Sequence, residues 1–273
     1  MEAKELTLEQ IHKETLTIYE KIVEICDKLN INHFVTYGTL LGAVRHKGYI
    51  PWDDDFDIMM FREDYDKFLE YCDNNEIYPY KLINYHNDPQ YTFGISRFCD
   101  LRYKMILDDG NPTNMGMFID IYPYDGMGNY LDASMMKKMD RRNKRLALGL
   151  YYSNKNNTVP KQGNLMKRMA RRVFCLYAQI MGREYFINAF EKAAHKYTIE
   201  ESELIDCVIW DPTKYMKKEW FLETIELDFE HLKVKAPKHY DEILKGWYGD
   251  YMTMPPEDQR APSHQYKLYK KEN

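Results

Sequence analysis

The sequence predicts an α/β (α+β) fold, a mixed sheet flanked by helices, and three observations predict it. Helical and strand periodicities alternate through residues 7–74, a run of short strands follows from Tyr80 to Tyr122, and a helical block extends from Leu131 to about Tyr197. A doubly wound parallel sheet would instead keep alternating strand and helix.

The first helix begins at Thr7, whose capping box is completed by Gln10, and carries Leu8, Ile11, Ile18, Ile22, Ile25 and Leu29 on one stripe. Asn30 and Asn32 stop it. His33–Tyr37 reads as a strand ended by Gly38, a short helix covers Thr39 to about Arg45, and a turn through Gly48 and Pro51 leads into a strand over Asp55–Phe61. Tyr65, Phe68, Leu69 and Cys72 mark the next amphipathic helix, about 63–74. Strands are expected at Tyr80–Ile83, Tyr91–Arg97, Leu101–Leu107 and Gly116–Ile121, with a turn at Asp108–Pro112. The helical block is broken by the polar stretch Ser153–Asn164. After Asp211-Pro212 the chain reads as short segments and one helix near Pro237–Trp247.

The densest chemical pattern is Gly38 through Ile58. Strand alternation puts Asp55 and Asp57 on one face, about 7 Å apart, with Phe56 and Ile58 on the other. Two such carboxylates repel each other, and a divalent cation makes the spacing favourable; Mg2+, or Mn2+ in its place, takes oxygen ligands together with substrate phosphates. Gly38 and Gly42, with Thr39 opening a helix, add a turn at which backbone N–H groups can approach phosphate oxygens. Asp53 shares the phase of Asp55 and suits an outer role; Asp54 suits a turn. Asp120 is the one polar residue in Met117–Ile121, costly there unless paired or metal-bound, so it is the third carboxylate, as a ligand or as acceptor of a hydroxyl proton. Arg45 and Arg97 are candidate phosphate contacts, Arg97 through a bidentate fork. Scattered histidines, among them His46, His231, His239 and His264, lack zinc-ligand spacing.

Composition narrows the class further. The 273 residues are 44% hydrophobic and 30% charged with a formal charge of -5, as in a folded, soluble chain and unlike a disordered or nucleic-acid-coating one. Residues 131–175 nevertheless hold 12 Lys/Arg against 2 Asp/Glu, a local charge of +10 that suits peripheral contact with an anionic membrane; nucleic acid is the less favoured partner. Five dispersed cysteines without a CxxC pair read as small buried hydrophobes. No transmembrane run and no basic-then-apolar leader is visible, so the expected location is cytoplasmic, at the inner face of the membrane if the basic segment touches lipid.

Tyr37-Gly38-Thr39-Leu40-Leu41-Gly42 through Pro51-Trp52-Asp53-Asp54-Asp55-Phe56-Asp57 resembles the signature of the LicD family, a branch of the nucleotidyltransferase-fold superfamily. The resemblance extends to Phe118–Pro123, to Tyr248–Met252 and to Pro255-Pro256, covering about residues 20–260. It implies one catalytic domain over 1–273, within which the basic helical block, by its own pattern and charge, reads as an insertion or subdomain at 131–200. It also implies transfer of a phosphorylated alcohol, phosphocholine or a polyol phosphate, from a CDP-linked donor to a sugar hydroxyl of a glycan or lipid-linked glycan. By that likeness Gly38 and Thr39 fall at the donor phosphates, Asp55 and Asp57 at the metal, and Asp120 at the third acidic position, while Asp250 helps close the pocket. A nucleotidyltransferase acting on a small molecule or RNA, and a catalytically silent binding protein of glycan assembly, are the alternatives.

Overall fold

The computed structural model describes residues 4–108, 113–129, 133–157, 159–160, 162–208, 215–261 and 266–271. Trp210, Asp211-Pro212, His264, Leu131 and most of the turn at 108–112 lie outside the described residues. The fold is mixed α/β, with a curled mixed sheet and flanking helices. Two compact units make up the chain: Met1–Ile83, Arg97–Pro123 and Met216–Asn273 form one, Asn84–Ser96 and Tyr124–Tyr215 the other.

The first unit opens with α1 (Leu8–Leu29), whose Thr7–Gln10 capping box is formed as expected and whose C-cap Asn30 adopts a left-handed φ of 51°. It buries Leu16, Ile18, Tyr19, Ile22, Ile25 and Cys26. Then come β1 (Phe34–Val35), α2 (Tyr37–His46), β2 (Asp57–Phe61), α3 (Arg62–Asn74), β3 (Tyr80–Ile83), β4 (Ser96–Asp100), β5 (Tyr103–Leu107) and β6 (Met117–Gly126). The sheet runs β1-β2-β6-β4-β3. Phe34 pairs with Met59 and Val35 with Ile58, antiparallel, while Tyr80 pairs with Asp100 and Ile83 with Arg97. Core side chains of this unit include Phe34, Phe56, Ile58, Phe68, Phe98 and Phe229, each at most 1% exposed. Burial of such aromatic and aliphatic groups is the main favourable term.

The strand expected over Tyr91–Arg97 is displaced to β4, Ser96–Asp100. Asn84 and Asp88 capture the preceding backbone in turns: Asn84 Oδ1 accepts from the His86 and Asn87 amides, and the Asp88 side chain and carbonyl accept from Gln90 and Tyr91. α2 begins two residues before its expected start, with Tyr37 at φ 45°. The helix expected near Pro237–Trp247 is α7 (Tyr240–Tyr248), because Pro237 is paired into a strand.

In the second unit, α4 (Ala133–Ser153), α5 (Leu165–Met181) and α6 (Arg183–Ala194) pack on one another, and β7 (Leu204–Asp206) pairs with the end of β6 at Asp125 and Gly126. Met127, Ala193 and Val208 form a buried cluster that Met139 and Leu146 cover. Arg183 Nη2 donates to the carbonyls of Tyr85, Asp88 and Tyr91, tying residues 84–96 to α6.

The chain then supplies β8 (Met216–Lys217), the hairpin β9 (Thr224–Phe229) and β10 (Leu232–Pro237), α7, and β11 (Tyr266–Lys270), which pairs antiparallel with β5. Sequence reasoning missed the hairpin although its signal is present: Ile225, Leu227 and Phe229 alternate with Glu226 and Asp228, and Leu232, Val234 and Ala236 with Lys233 and Lys235, the period-two pattern of paired strands. All five cysteines are buried, as expected, and none is joined in a disulfide.

Candidate active site

The site grows from the junction of α2 with β2. The Thr36 amide donates to Asp57 O at 3.1 Å, and the Asp57 amide donates to Thr39 Oγ1 at 2.8 Å, so the first turn of α2 is fastened to the first residue of β2. Asp120 lies on the neighbouring strand, its amide donating to Phe56 O at 3.1 Å. β-Pairing thus brings residues 63 positions apart onto adjacent strands.

Asp57 is buried, and its Oδ1 has no hydrogen-bond partner. Burial first, then the charges of Asp55, Asp120 and Asp53, push its carboxyl well above the usual carboxylate range; Arg97 opposes them. A buried, under-satisfied carboxylate facing three others is a costly arrangement for a chain by itself.

The donor set fits a divalent cation. Among the described residues no three or more His, Cys, Asp or Glu side chains converge as a ready-made metal cage. Magnesium does not need one, because it keeps several waters and commonly takes one or two carboxylates together with substrate phosphates. Asp55 and Asp57 can supply those carboxylates, and the orphaned Asp57 Oδ1 is the atom a cation would satisfy.

Asp120 Oδ1 accepts from Arg97 Nε at 2.8 Å, both side chains being largely buried, and the Arg97 guanidinium lies 4.1 Å from the Phe118 ring centre. Arg97, expected as a phosphate contact, is therefore brought to the third carboxylate. Tyr266 follows closely in charge: burial first, then Asp54, raises its hydroxyl pKa, with Asp120 and Asp55 adding to the effect and Arg97 opposing it.

The two glycines permit different approaches. A Cβ on Gly38 would come within 2.6 Å of Asp53 Oδ2, so the bare glycine lets that carboxylate sit against the first turn of α2. A Cβ on Gly42 would meet Gly48 O at 2.5 Å and Ile50 N at 3.3 Å, so this glycine lets the following loop fold back on the helix. That loop is tethered elsewhere as well. His12 Nε2 donates to Asp53 O at 2.6 Å and its ring stacks on Tyr49 at 3.9 Å. Glu230 donates its amide to Lys47 O at 2.8 Å and accepts from the Tyr49 amide at 3.1 Å. Glu230 has a left-handed φ of 54° at the tip of the β9–β10 hairpin, a conformation that the two anchoring bonds help to offset.

Arg45 donates through Nη1 to Tyr251 O and through Nε to His46 Nε2, both at 2.9 Å. Burial, then the nearby Arg260, lowers its pKa, and the Arg260 guanidinium lies 5.6 Å from the Trp52 ring centre. His46 is lowered by burial and by Arg45. Tyr248 is raised by burial, then by Asp57, Asp53 and Asp55, with Arg45 opposing, which places its hydroxyl among the site's charges although the residue as a whole is 44% exposed. Asp250 accepts from Thr253 Oγ1 at 2.7 Å in an exposed turn.

Sequence reasoning missed three contributors: Arg260, Tyr266, and the aromatic cluster at the start of α2. Tyr37 stacks on Trp247 with ring centres 4.7 Å apart and meets Tyr122 edge-on at 4.8 Å. A non-glycine residue at φ 45° is strained by about 1 kcal/mol or more, and here that backbone directs a ring to the carboxylate end of the helix. Tyr37 opens the family-like motif Tyr37–Gly42, but nothing in that short window points to its ring contacts with Trp247 and Tyr122.

Residues 30–144 match the family model described as LicD/FKTN/FKRP, nucleotidyltransferase domain. Over 271 residues, 97% of this chain and 99% of the relative, the sequence is 28% identical to the lipopolysaccharide cholinephosphotransferase LicD of Haemophilus influenzae. Shorter stretches resemble two uncharacterized rickettsial proteins. One, from Rickettsia typhi, is 48% identical over 63 residues, 23% of this chain and 18% of that protein. The other, from Rickettsia prowazekii, is 35% identical over 105 residues, 38% of this chain and 33% of that protein.

Proposed function

We propose, for a chain that belongs to the LicD family through its domain at residues 30–144, that it is a metal-dependent phosphotransferase. It moves a phosphorylated alcohol, phosphocholine in the first instance, from a CDP-linked donor to a sugar hydroxyl of a glycan or lipid-linked glycan. The transferase activity and the choline and glycan classes are supported by the near full-length likeness to the Haemophilus cholinephosphotransferase. Metal dependence is supported by a buried carboxylate oxygen, Asp57 Oδ1, which has no hydrogen-bond partner and whose carboxyl group feels the charges of Asp55, Asp120 and Asp53.

In this reading Asp55 and Asp57 would hold Mg2+ or Mn2+, which would supply positive charge to the donor diphosphate. The first turn of α2, with Gly38 and Thr39, receives phosphate oxygens at the positive end of the helix. The acceptor hydroxyl forms the new bond to phosphorus as the bond to CMP breaks, and CMP departs. Asp120, one oxygen held by Arg97, takes the hydroxyl proton on its other oxygen. Arg45, pinned by Tyr251 O, contributes positive charge toward the leaving nucleotide. The cluster Tyr37, Trp247 and Tyr122 offers ring faces to the quaternary ammonium of choline.

Incubation with CDP-choline, Mg2+ and a candidate glycan tests the reading. CMP release coupled to acceptor phosphorylation supports it. Pyrophosphate release from a nucleoside triphosphate with transfer of the nucleotide would replace it, and ligand binding without either product would make the chain a binding protein.

A further inference from the structure

In the second unit, α5 is turned inside out relative to an ordinary surface helix. Cys175 and Ala178 face the neighbouring helices, whereas Leu165, Met166, Met169, Val173, Leu176 and Ile180 are each 57–82% exposed. At 100° per residue these six fall within about one third of the helix circumference, a continuous apolar ridge on the outside. Exposed Arg172 borders it on one edge and exposed Tyr177 on the other. Contiguous apolar surface of this kind on a charged protein marks a docking face.

The adjoining surface is strongly cationic. On α4, Lys137, Lys138, Arg141, Lys144 and Arg145 are exposed at helical spacing. Between the helices lies a groove of about 680 Å³ whose walls include Lys138, Arg141, Arg142 and Arg145 on one side and Phe174 and Tyr177 of α5 on the other. The apolar ridge and the basic groove therefore meet along α5.

We propose that this surface docks on an anionic lipid bilayer, the outer face of α5 entering the interface and the cations of α4 meeting lipid phosphates. An amphipathic helix with apolar residues on one face and Lys or Arg at its borders has this recognition chemistry, and the long basic side chains reach the headgroups while their stems stay apolar. No helix among the described residues is long and apolar enough to cross a membrane, so the contact lies in the plane of the interface. A second copy of the chain is disfavoured because it would bring two segments of +10 together without counter-charge. Nucleic acid would complement the cations and the groove's Phe174 and Tyr177, but it would leave the aliphatic ridge of Leu, Met, Val and Ile uncovered. The inference is independent of the reaction proposed above.

The test is co-sedimentation of the full chain with phosphatidylglycerol–phosphatidylcholine vesicles and with pure phosphatidylcholine vesicles, at low and high salt. Three proteins are compared: wild type, Met166→Ser/Ile180→Ser, and Lys137→Gln/Lys138→Gln/Arg141→Gln. Both variants change exposed side chains, so folding survives, and turnover on a soluble acceptor checks it. Wild type is expected to sediment with anionic vesicles alone and to be released by salt, and each variant to bind at least about fivefold less. Wild type remaining in the supernatant with anionic vesicles overturns the proposal, as does equal sedimentation of the Met166→Ser/Ile180→Ser protein. A wild-type dimer seen by light scattering, dissociated by that same variant and indifferent to vesicles, overturns it in favour of a second copy.

Discussion

Thr39 Oγ1 accepts the Asp57 amide at 2.8 Å, so the residue that opens β2 is positioned by the residue expected at the donor phosphates. One hydrogen bond couples the first turn of α2 to the backbone of the proposed metal ligand Asp57.

Asp57→Asn preserves shape and the backbone bond to Thr39 while removing a buried charge that three carboxylates oppose. Turnover is expected to fall at least about tenfold. Thermal stability in a metal-free buffer is expected to rise, by about 1 kcal/mol or more, because the repulsion is gone. Added Mg2+ should raise the melting temperature of wild type and leave the variant unmoved. A variant that is less stable than wild type without metal, or still stabilised by Mg2+, shows that Asp57 is not the strained ligand.

The two glycines of α2 separate activity from stability. Gly42→Ala confronts backbone at Gly48 and Ile50, which cannot swing aside, and should cost about 2 kcal/mol in denaturant unfolding. Gly38→Ala confronts only the end of the Asp53 side chain, which can turn away. Its stability should change by less than about 1 kcal/mol while kcat/KM falls, and equal losses of stability in the two variants would remove the distinction.

The aromatic cluster is expected to read the donor's alcohol. Trp247→Leu removes the face stacked on Tyr37 and should raise KM for CDP-choline about fivefold or more, leaving CDP-glycerol nearly unchanged. Equal effects on both donors would assign Trp247 a packing role.

His33 gives a pH dependence. It is buried, hydrogen-bonded through Nε2 to the Tyr19 hydroxyl at 3.1 Å, and burial, with Lys235 adding, lowers its pKa from 6.5 to about 3. Between those values the unfolded chain binds a proton that the folded chain does not, so stability rises with pH across this window and falls as the solution is acidified below 6.5. The slope from this one group approaches about 1.4 kcal/mol per pH unit. Urea unfolding at several pH values should show a shallower slope for His33→Gln than for wild type; identical slopes would mean that His33 is not neutral in the native core.

What could be read in the sequence was local. The capping box of α1 lies within four residues. Asp55 and Asp57 stand out in an equally short window, but the strand expected from Asp55 begins only at Asp57, so alternation does not fix the face of Asp55. What could not be read was long-range. Tyr49 meets Glu230 across 181 positions, and Arg97 meets Asp120 across two strands, by pairings that no short window contains. Likewise, Tyr91-Thr92-Phe93 has strand-forming side chains, yet Asn84 and Asp88 take the neighbouring amides first, and the strand forms only from Ser96.

The loop from Lys47 to Asp53 is fastened at Lys47 O and Tyr49 N by Glu230 and at Asp53 O by His12. Because the Asp53 carbonyl is held by His12 and Asp57 opens β2, residues 54–56 must span a fixed gap, and a single residue inserted there would displace Asp55 from its place before Asp57. An insertion before Tyr49 would instead have to break the hold of Glu230. The chain can thus tolerate many exchanges of side chain along this loop but almost no change in its length, and length variation should be confined to segments that carry none of these fastenings.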